Sequence, residues 1–496
     1  MHFIHPQEHT RRAFLRRSAQ LAFTGAALPT AINLAAMGEA AAFNATDYKA
    51  LVCVFLYGGN DPWHTVLPYD NTNYDLYSAI RGGGAGRTAG GIALAQADLA
   101  NTLLTPSAAK TLANGRQYAL HPAMTGLAGL FNSGQAAVQL NVGPLVVPIT
   151  KTQYQSSNRA LYPVPPKLFS HNDQQSIWQS SSPEGSTIGW GGNIGDLAVA
   201  SNGTGSLFTC MSVTGNAVFL SGDQALSYQV SSGGAVKINC VSNNVYGSAA
   251  VKNAMRDLVQ QARSDVLENE YNRVTQRSIT AEGTVNGGIS ASSTAAAGNT
   301  GDFAPFAGFP NNNLASQLKM VARLISARTS LSTKRQVFFV SLGGCDLHDN
   351  LLTNHVTNMT RVSQAMTAFY QTTANMGVAG QVTAFTASDF GRTLTSNGDG
   401  SDHGWGNHHF IVGGAVKGKA FYGAPPPISV GSTSGVEDQS HVGQGRLLPT
   451  TSVDQYAATL ATWFGVEPTE LKGILPNIGN FGLPKAVDYP TNLGFL

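Results

Sequence analysis

The chain has 496 residues, with 30 Lys+Arg against 28 Asp+Glu, and only 12% of its residues are charged. Four arginines and two glutamates fall within residues 1–42, so the remainder carries 26 side chains of each charge and offers no basic face for nucleic acid. The 42% of hydrophobic residues can bury a large core, and the length suits one large α/β domain or two to three smaller ones.

The N-terminal segment has the order of an export signal. Arg11 and Arg12 precede a moderately apolar run over residues 19–36, and residues 40–42 are alanines suited to a signal peptidase. The arginine pair is typical of the twin-arginine route. The run is too short and too interrupted by Gly and Pro for a membrane anchor, which needs ~20 strongly apolar residues. We therefore predict a signal peptide over residues 1–42, a periplasmic or extracellular mature protein and no stable membrane span in it.

Strands and helices alternate along the rest of the chain. Continuous apolar runs that stop at glycine predict buried parallel strands, and apolar residues repeating every three to four positions predict helices. The predicted strands cover residues 50–57, 136–142, 336–342 and 381–387. The predicted helices cover residues 251–276, 314–330, 354–375 and 452–464.

This alternation predicts an α/β fold with a mostly parallel sheet and helices on both faces. Residues 145–250 have short apolar runs and many turn residues, so we predict a loop-rich insertion or cap there on a single domain over residues 43–496. Residues 281–312 are rich in Gly, Ala, Ser and Asn, which predicts a flexible segment.

Four cysteines allow three full pairings in an oxidising compartment. Cys210 and Cys240 both lie in a stretch rich in Gly, Ser and Asn, and we predict a disulfide between them. Cys53 lies inside an apolar strand and is expected to be a small buried hydrophobe. Cys345 is expected to stay unpaired.

Acidic and imidazole side chains follow three of the predicted strands, and in open α/β sheets ligands bind beyond the carboxyl ends of the strands. A single Asp after a strand is commonly a turn or cap residue, but several such motifs on one edge are harder to explain in that way. Carboxylates and imidazoles together suit a divalent ion, for which zinc, calcium and manganese all stay open. The predicted metal ligands are Asp61, Asp346, His348, Asp389, Asp402 and His403.

Five segments together resemble the secreted bacterial family called domain of unknown function 1501. They are LYGGND (56–61), SHNDQQSIW (170–178), GGCDLHDN (343–350), SDFGRT (388–393) and DHG (402–404). That family resembles the alkaline phosphatase and sulfatase superfamily, which implies an alkaline-phosphatase-like fold with one or two metals at the strand ends and a Ser or Thr nucleophile. The chain departs from the superfamily because Phe390, not His, follows Asp389, and His403 is the candidate to replace that imidazole.

The resemblance implies hydrolysis of a phosphate or sulfate ester, of a small molecule or a polymer, through a serine or a metal-bound water. Ser170 is the predicted nucleophile, and Thr187 is its rival. Its neighbour His171 is predicted to be catalytic, with the alternatives that it orients a ligand or caps a turn. Arg392 is expected to neutralise an oxyanion, with a salt bridge that holds the loop as the alternative. The absence of a Cys-x-Pro-x-Arg motif argues against a formylglycine sulfatase. The alternative function is a non-catalytic, metal-stabilised binding or cell-surface assembly protein on the same fold.

Overall fold

The structure is a computed structural model that describes residues 45–84, 86–292, 308–482 and 488–496. The predicted signal peptide lies outside these residues. No helix in the described part of the chain is long and apolar enough to cross a membrane.

A nine-stranded sheet forms the centre of the molecule, in the order β10-β4-β9-β8-β1-β7-β5-β6, with β11 also pairing with β4. Strands β2 and β3 form a separate antiparallel pair. The strands are β1 (Lys49–Leu56), β2 (Val66–Pro68), β3 (Tyr118–Leu120), β4 (Ala136–Gly143), β5 (Cys210–Ser212), β6 (Ser227–Gln229), β7 (Arg335–Leu342), β8 (Val382–Ser388), β9 (Asn407–Gly413), β10 (Phe421–Tyr422) and β11 (Thr451–Ser452).

The sheet is mostly parallel, as predicted. Strand β1 lies between β7 and β8 and runs parallel to both, and the pairing of Leu56 with Leu342 and Ser388 aligns the carboxyl ends of all three. Strand β9 is the exception, because it runs antiparallel to β8 and β4. The stretch predicted as a loop-rich insertion contributes β5 and β6, two short parallel strands that extend the sheet beyond β7.

Helices cover both faces of the sheet, which confirms the predicted layering. They are α1 (Pro62–Thr65), α2 (Asn71–Ile80), α3 (Thr125–Asn132), α4 (Lys151–Gln155), α5 (His171–Ser180), α6 (Trp190–Asn202), α7 (Asn239–Ser242), α8 (Ala249–Gln260), α9 (Val266–Ser292), α10 (Asn313–Ser326), α11 (Leu351–Asn375), α12 (Val453–Phe464) and α13 (Leu471–Ile474).

Residues along β1 alternate between the two faces because successive side chains of a strand point in opposite directions. Val52 and Val54 pack in the hydrophobic core with α3, α9, α10 and α11. Leu51 and Phe55 pack in the opposite core with α6, α12 and α13. Burial on both faces explains why the strand is apolar from Ala50 to Leu56.

The helix predicted over residues 251–276 is two helices, because Asp265 begins a new one by accepting hydrogen bonds from the backbone N–H groups of Leu267 and Glu268. The second helix, α9, continues to Ser292, so the predicted flexible segment is helical at its start. Ala281, Val285 and Ile289 recur every four residues and are buried, and this packing outweighs the weak helix propensity of the local Gly and Ser.

All four cysteines are free, so the predicted disulfide between Cys210 and Cys240 is wrong. Cys210 lies on β5 with its thiol buried beneath α6, and Sγ is 3.9 Å from the Gly191 carbonyl. Cys240 lies on the short helix α7 and is only partly buried. Cys345 is unpaired, as expected.

Candidate metal centre

The carboxyl ends of β8, β1 and β7 bring Asp389, Gly58 and Asp346 together. The Gly58 N–H lies 3.2 Å from both carboxylate oxygens of Asp389, and its carbonyl accepts from Nη1 of Arg392 at 3.1 Å. Gly58 has a φ of +109°, and a Cβ there would lie 2.4 Å from the backbone nitrogen of Asp346. Only glycine therefore allows the end of β1 to pass between the two carboxylates.

The centre of the site is a triad of His171, Asp346 and His403. One ligand atom from each of these three side chains lies within 4.8 Å of the other two, so together they could hold a metal ion. Nε2 of His171 lies 3.4 Å from Oδ2 of Asp346, and Nε2 of His403 lies 3.2 Å from Oδ1. The three side chains are 27%, 43% and 24% exposed, so the site is open to a solute.

A third histidine adjoins the triad. Nε2 of His348 is 3.0 Å from Oδ1 of Asp346 and 3.0 Å from Nε2 of His403. Three imidazole Nε2 atoms thus face one carboxylate.

Each of the three histidines has its other nitrogen bound to an oxygen acceptor. Nδ1 of His171 donates to Oδ2 of Asp389 at 2.7 Å, and Nδ1 of His348 lies 3.2 Å from Oδ1 of Asp402. Nδ1 of His403 donates to the Phe169 carbonyl at 2.7 Å. These acceptors fix the proton on Nδ1 and leave the Nε2 lone pair directed at the centre, the arrangement that metal-ligating histidines have in proteins.

The residues fit a bound cation for a second reason. Nε2 of His171 is buried and makes no hydrogen bond with any described residue. A buried polar atom without a partner costs free energy, and a metal ion at the centre would satisfy this lone pair.

Electrostatics favour the ligating forms of two triad members, Asp346 and His403. Burial raises the pKa of Asp346, but the hydrogen bond and charge of Arg392 outweigh burial and hold the pKa below its ordinary value. Burial lowers the pKa of His403. The hydrogen bond to Asp389 raises the pKa of His171, so a metal ion would have to compete with a proton there.

Arg392, predicted to meet an oxyanion, is fully buried. Its Nη1 donates to Asp346 at 2.9 Å, and its Nε and Nη2 bind Ser401. The guanidinium therefore positions Asp346, which matches the salt-bridge alternative.

Asp61 was predicted as a ligand, but the structure places it outside the triad. Its carboxylate receives Nη1 and Nη2 of Arg81 at 2.8 and 3.0 Å, and both side chains are buried. Burial raises the pKa of Asp61, but Arg81 outweighs burial and lowers it to about 2. Ser401 connects the two places, because its hydroxyl donates to Asp61 and its carbonyl accepts from Arg392.

The other predicted site residues take different positions. Asp346 and His403 are in the triad, and His348 adjoins it, whereas Asp389 and Asp402 hold the Nδ1 atoms. The hydroxyl of Ser170 donates to Asp173 at 2.9 Å. No hydrogen bond or ion pair among the described residues joins Thr187 to the triad.

Sequence reasoning missed the ligand position of His171 and the contributions of Phe169 and Arg446. Nε of Arg446 donates to the His403 carbonyl at 2.7 Å, and its guanidinium lies over the Phe169 ring at 5.4 Å. The signal for His171 was its place in SHNDQQ, whose Gln175, four residues on and on the same helix face, donates to Asp389 at 2.8 Å.

A second group of three histidines, His64, His121 and His355, lies in the core. Their ring centroids are 5.4 to 5.9 Å apart. Burial lowers the pKa of each to about 3. We call this group the core histidines, and His171, His348 and His403 the site histidines.

The model of a protein family, "Protein of unknown function (DUF1501)", matches residues 48–444. No curated protein matches the chain. The matched range contains the triad, Asp389, Asp402 and Arg392, whereas Arg446 lies just beyond it.

Proposed function

The chain belongs to the DUF1501 family, and we propose that it is a metal-dependent hydrolase of phosphate or sulfate esters in which His171, Asp346 and His403 hold a divalent ion. The observation that carries the proposal is the orientation of the histidines: three Nε2 atoms face one carboxylate while every Nδ1 is bound to an acceptor. Imidazole nitrogens suit zinc or manganese better than calcium, which prefers oxygen ligands.

Such an ion would supply Lewis acidity, lowering the pKa of water and stabilising charge on the ester oxygens. The chain's own residues hold the geometry. Arg392 fixes Asp346, Asp389 orients His171, and the Phe169 carbonyl orients His403.

Arg446 is the side chain we propose for binding the anionic ester. Its Nε is fixed on His403, its guanidinium is only partly buried, and neither Nη has a hydrogen-bond partner among the described residues. Two free NH2 groups on a fixed cation suit phosphate or sulfate oxygens. The likeness of the motifs to the alkaline phosphatase and sulfatase superfamily supports the same substrate class.

Water is the nucleophile we favour over Ser170. The Ser170 hydroxyl donates to Asp173. Burial raises the pKa of that carboxyl, but the hydrogen bonds from Ser170 and the Glu184 N–H, together with Lys167, hold the pKa below its ordinary value. Asp173 is thus a weak base for activating the serine. A Ser170→Ala variant that retains turnover would support water, and complete loss would support the serine.

The deciding experiment compares wild type with His403→Ala, measuring metal content, a melting curve and turnover on a panel of phosphate and sulfate monoesters and diesters, each with and without chelator. We expect the variant to lose metal and hydrolysis while it keeps most of its melting temperature. His121→Asn is the matched control, because it changes a core histidine. The non-catalytic alternative would be established by two results together: metal-bound wild type hydrolyses no ester, and His403→Ala melts far below wild type.

We also propose that the protein acts outside the cytoplasm after twin-arginine export. The support is the Arg11-Arg12 pair with its apolar run and alanines. Replacing both arginines with lysine should leave precursor in the cytoplasm in a fractionation experiment. Undiminished export of that variant would contradict this route.

A further inference from the structure

A cavity of about 260 Å³ lies beside the metal centre, between the end of β1 and helix α5. Gln175 connects the two places, because it lines the cavity and its Nε2 donates to the same Asp389 oxygen that holds His171. His171, Gln175 and Gln179 follow one another at intervals of four on α5. Residues at that spacing share a helix face, so one row of side chains runs from the metal centre into the cavity.

The lining of the cavity is polar but almost uncharged. It presents four amides (Asn172, Gln175, Gln179 and Asn216), the hydroxyls of Ser176 and Ser186, and the Tyr57 ring. Glu184 supplies a negative charge, and the lining contains no Lys, Arg or His. A negative charge without a cation disfavours an anionic group here. The two hydroxyls already donate to the Pro183 and Ile188 carbonyls and can only accept from a ligand, whereas the amides offer both donors and acceptors, which suits a ligand that also donates and accepts.

Several of these groups are held in place or free to bind. The Tyr57 ring packs against Phe55 at a centroid distance of 4.5 Å. Burial raises the pKa of Tyr57 to about 12, so its hydroxyl stays neutral. Asn172 is exposed, and its amide makes no hydrogen bond with the described residues.

We propose that this cavity binds the alcohol part of the ester, and that this alcohol is an uncharged, hydroxyl-rich group such as a sugar ring. The inference rests on the proposed function. The charged ester group would lie at the triad beside Arg446, and the alcohol would extend past Gln175 along α5. The volume is slightly below the ~300–1,000 Å³ of sites for drug-sized ligands, which fits a single ring better than a longer chain.

The reaction balances without a further reactant. The oxygen of water forms a bond to phosphorus or sulfur, and the bond from that atom to the alcohol oxygen breaks. The alcohol leaves with one proton of the water, and the other proton stays on the phosphate or passes from the sulfate to solvent. The product that the cavity releases is then a neutral polyol.

The test has a binding arm and a kinetic arm, both on the metal-loaded mature chain. In the binding arm, saturation-transfer NMR measures contact with neutral monosaccharides and, as a comparison, with cyclohexanol. In the kinetic arm, kcat/KM is measured on sugar monophosphates and monosulfates and on 4-nitrophenyl esters. The variants are Asn172→Ala and Asn216→Ala, with Asn253→Ala, an exposed Asn on α8 away from the cavity, as the control.

We expect sugar binding by wild type and by Asn253→Ala, and about a tenfold loss for each cavity variant, the effect of one lost hydrogen bond. The loss of kcat/KM should be larger for sugar esters than for 4-nitrophenyl esters. If no ester is hydrolysed but the cavity variants lose sugar binding, the proposed hydrolase fails and the cavity stands as a sugar site. If wild type binds no sugar, or binds sugars and cyclohexanol alike, the inference is overturned even where 4-nitrophenyl esters are hydrolysed.

Discussion

The site histidines and the core histidines are two groups of the same residue in the same numbers, yet they differ in what their nitrogens meet. Each site histidine gives its Nδ1 to an oxygen acceptor and directs its Nε2 at Asp346. In the core, Nε2 of His64 bonds the Ile92 carbonyl and Nδ1 of His121 accepts from the Ala123 N–H. The carboxylate that acts on His64 and His355, Asp61, is already paired with Arg81.

The difference shows that clustering of imidazoles does not make a metal site. Closely packed rings can be neutral core residues when burial disfavours their charged form. The site histidines share the Asp346 carboxylate, and each has an oxygen acceptor that fixes its tautomer, whereas the core histidines have no carboxylate free of another partner.

The largest effect that would test this contrast is the loss of the shared carboxylate. Asp346→Asn removes the negative charge that faces all three Nε2 atoms. Metal affinity, measured by calorimetry and by metal content, should fall by more than the ~10- to 100-fold typical of losing an outer partner. His121→Asn, whose amide can still accept from the Ala123 N–H, should leave metal content unchanged. Equal metal loss in both variants would contradict the difference between the site histidines and the core histidines.

Asp61 tests the contrast from the core side. Asp61→Asn leaves Arg81 buried without its anion, which typically costs ~3–5 kcal/mol of unfolding free energy. Metal content should not change, because Asp61 contacts Arg81, Trp63 and Ser401 and no site histidine. Urea unfolding and metal analysis of the same preparation measure both quantities. If Asp61→Asn loses metal while its free energy of unfolding stays that of wild type, Asp61 is a metal ligand.

The outer carboxylates should have a graded effect. Asp389→Asn and Asp402→Asn should each lower metal affinity ~10- to 100-fold. We expect the larger loss for Asp389, because its carboxylate is buried and also accepts from Gly58 and Gln175, whereas the Asp402 side chain is 37% exposed. A competition titration with a fluorescent chelator gives both affinities. The reverse order would show that His348 holds the ion more firmly than His171.

The smallest effect concerns pH. The unfolded core histidines bind protons below about pH 6.5, but the folded ones do so only near pH 3. The unfolded state thus binds more protons between these values, and stability should fall as the pH is lowered through this window. His121→Asn should make the slope shallower by up to one proton, about 1.4 kcal/mol per pH unit. Urea unfolding of metal-free protein between pH 4.5 and 7 measures the slope, and identical slopes would contradict the buried neutral state.

The sequence permitted prediction of the central strands and of the edge where the site lies. Strands β1, β7 and β8 are long apolar runs that stop at polar or glycine-rich turns, and parallel alignment then brings Asp346 and Asp389 together. Local pattern suffices for such features because burial on both sheet faces leaves a continuous apolar run.

The roles within the site could not be predicted, because they depend on contacts between distant segments. Asp61 pairs with Arg81 only because α2 ends close to the loop that follows β1, and Arg81 is the residue directly after that helix. His171 reaches the triad only because α5 packs against the end of β8. Composition also misled for α9, whose Gly-rich end is helical because its apolar face packs in the core.

The parts of the metal centre come from widely separated points in the chain: His403 lies 57 residues from Asp346, and His171 lies 218 residues from Asp389, its carboxylate partner. An unfolded chain cannot assemble them, so an ion would bind the native state almost exclusively. Thermodynamic linkage then adds ~2.7 kcal/mol of stability when free metal is 100 times the dissociation constant. The ion would hold α5 against the strand ends, and removal of metal should speed amide-hydrogen exchange in α5 more than in helices away from the site.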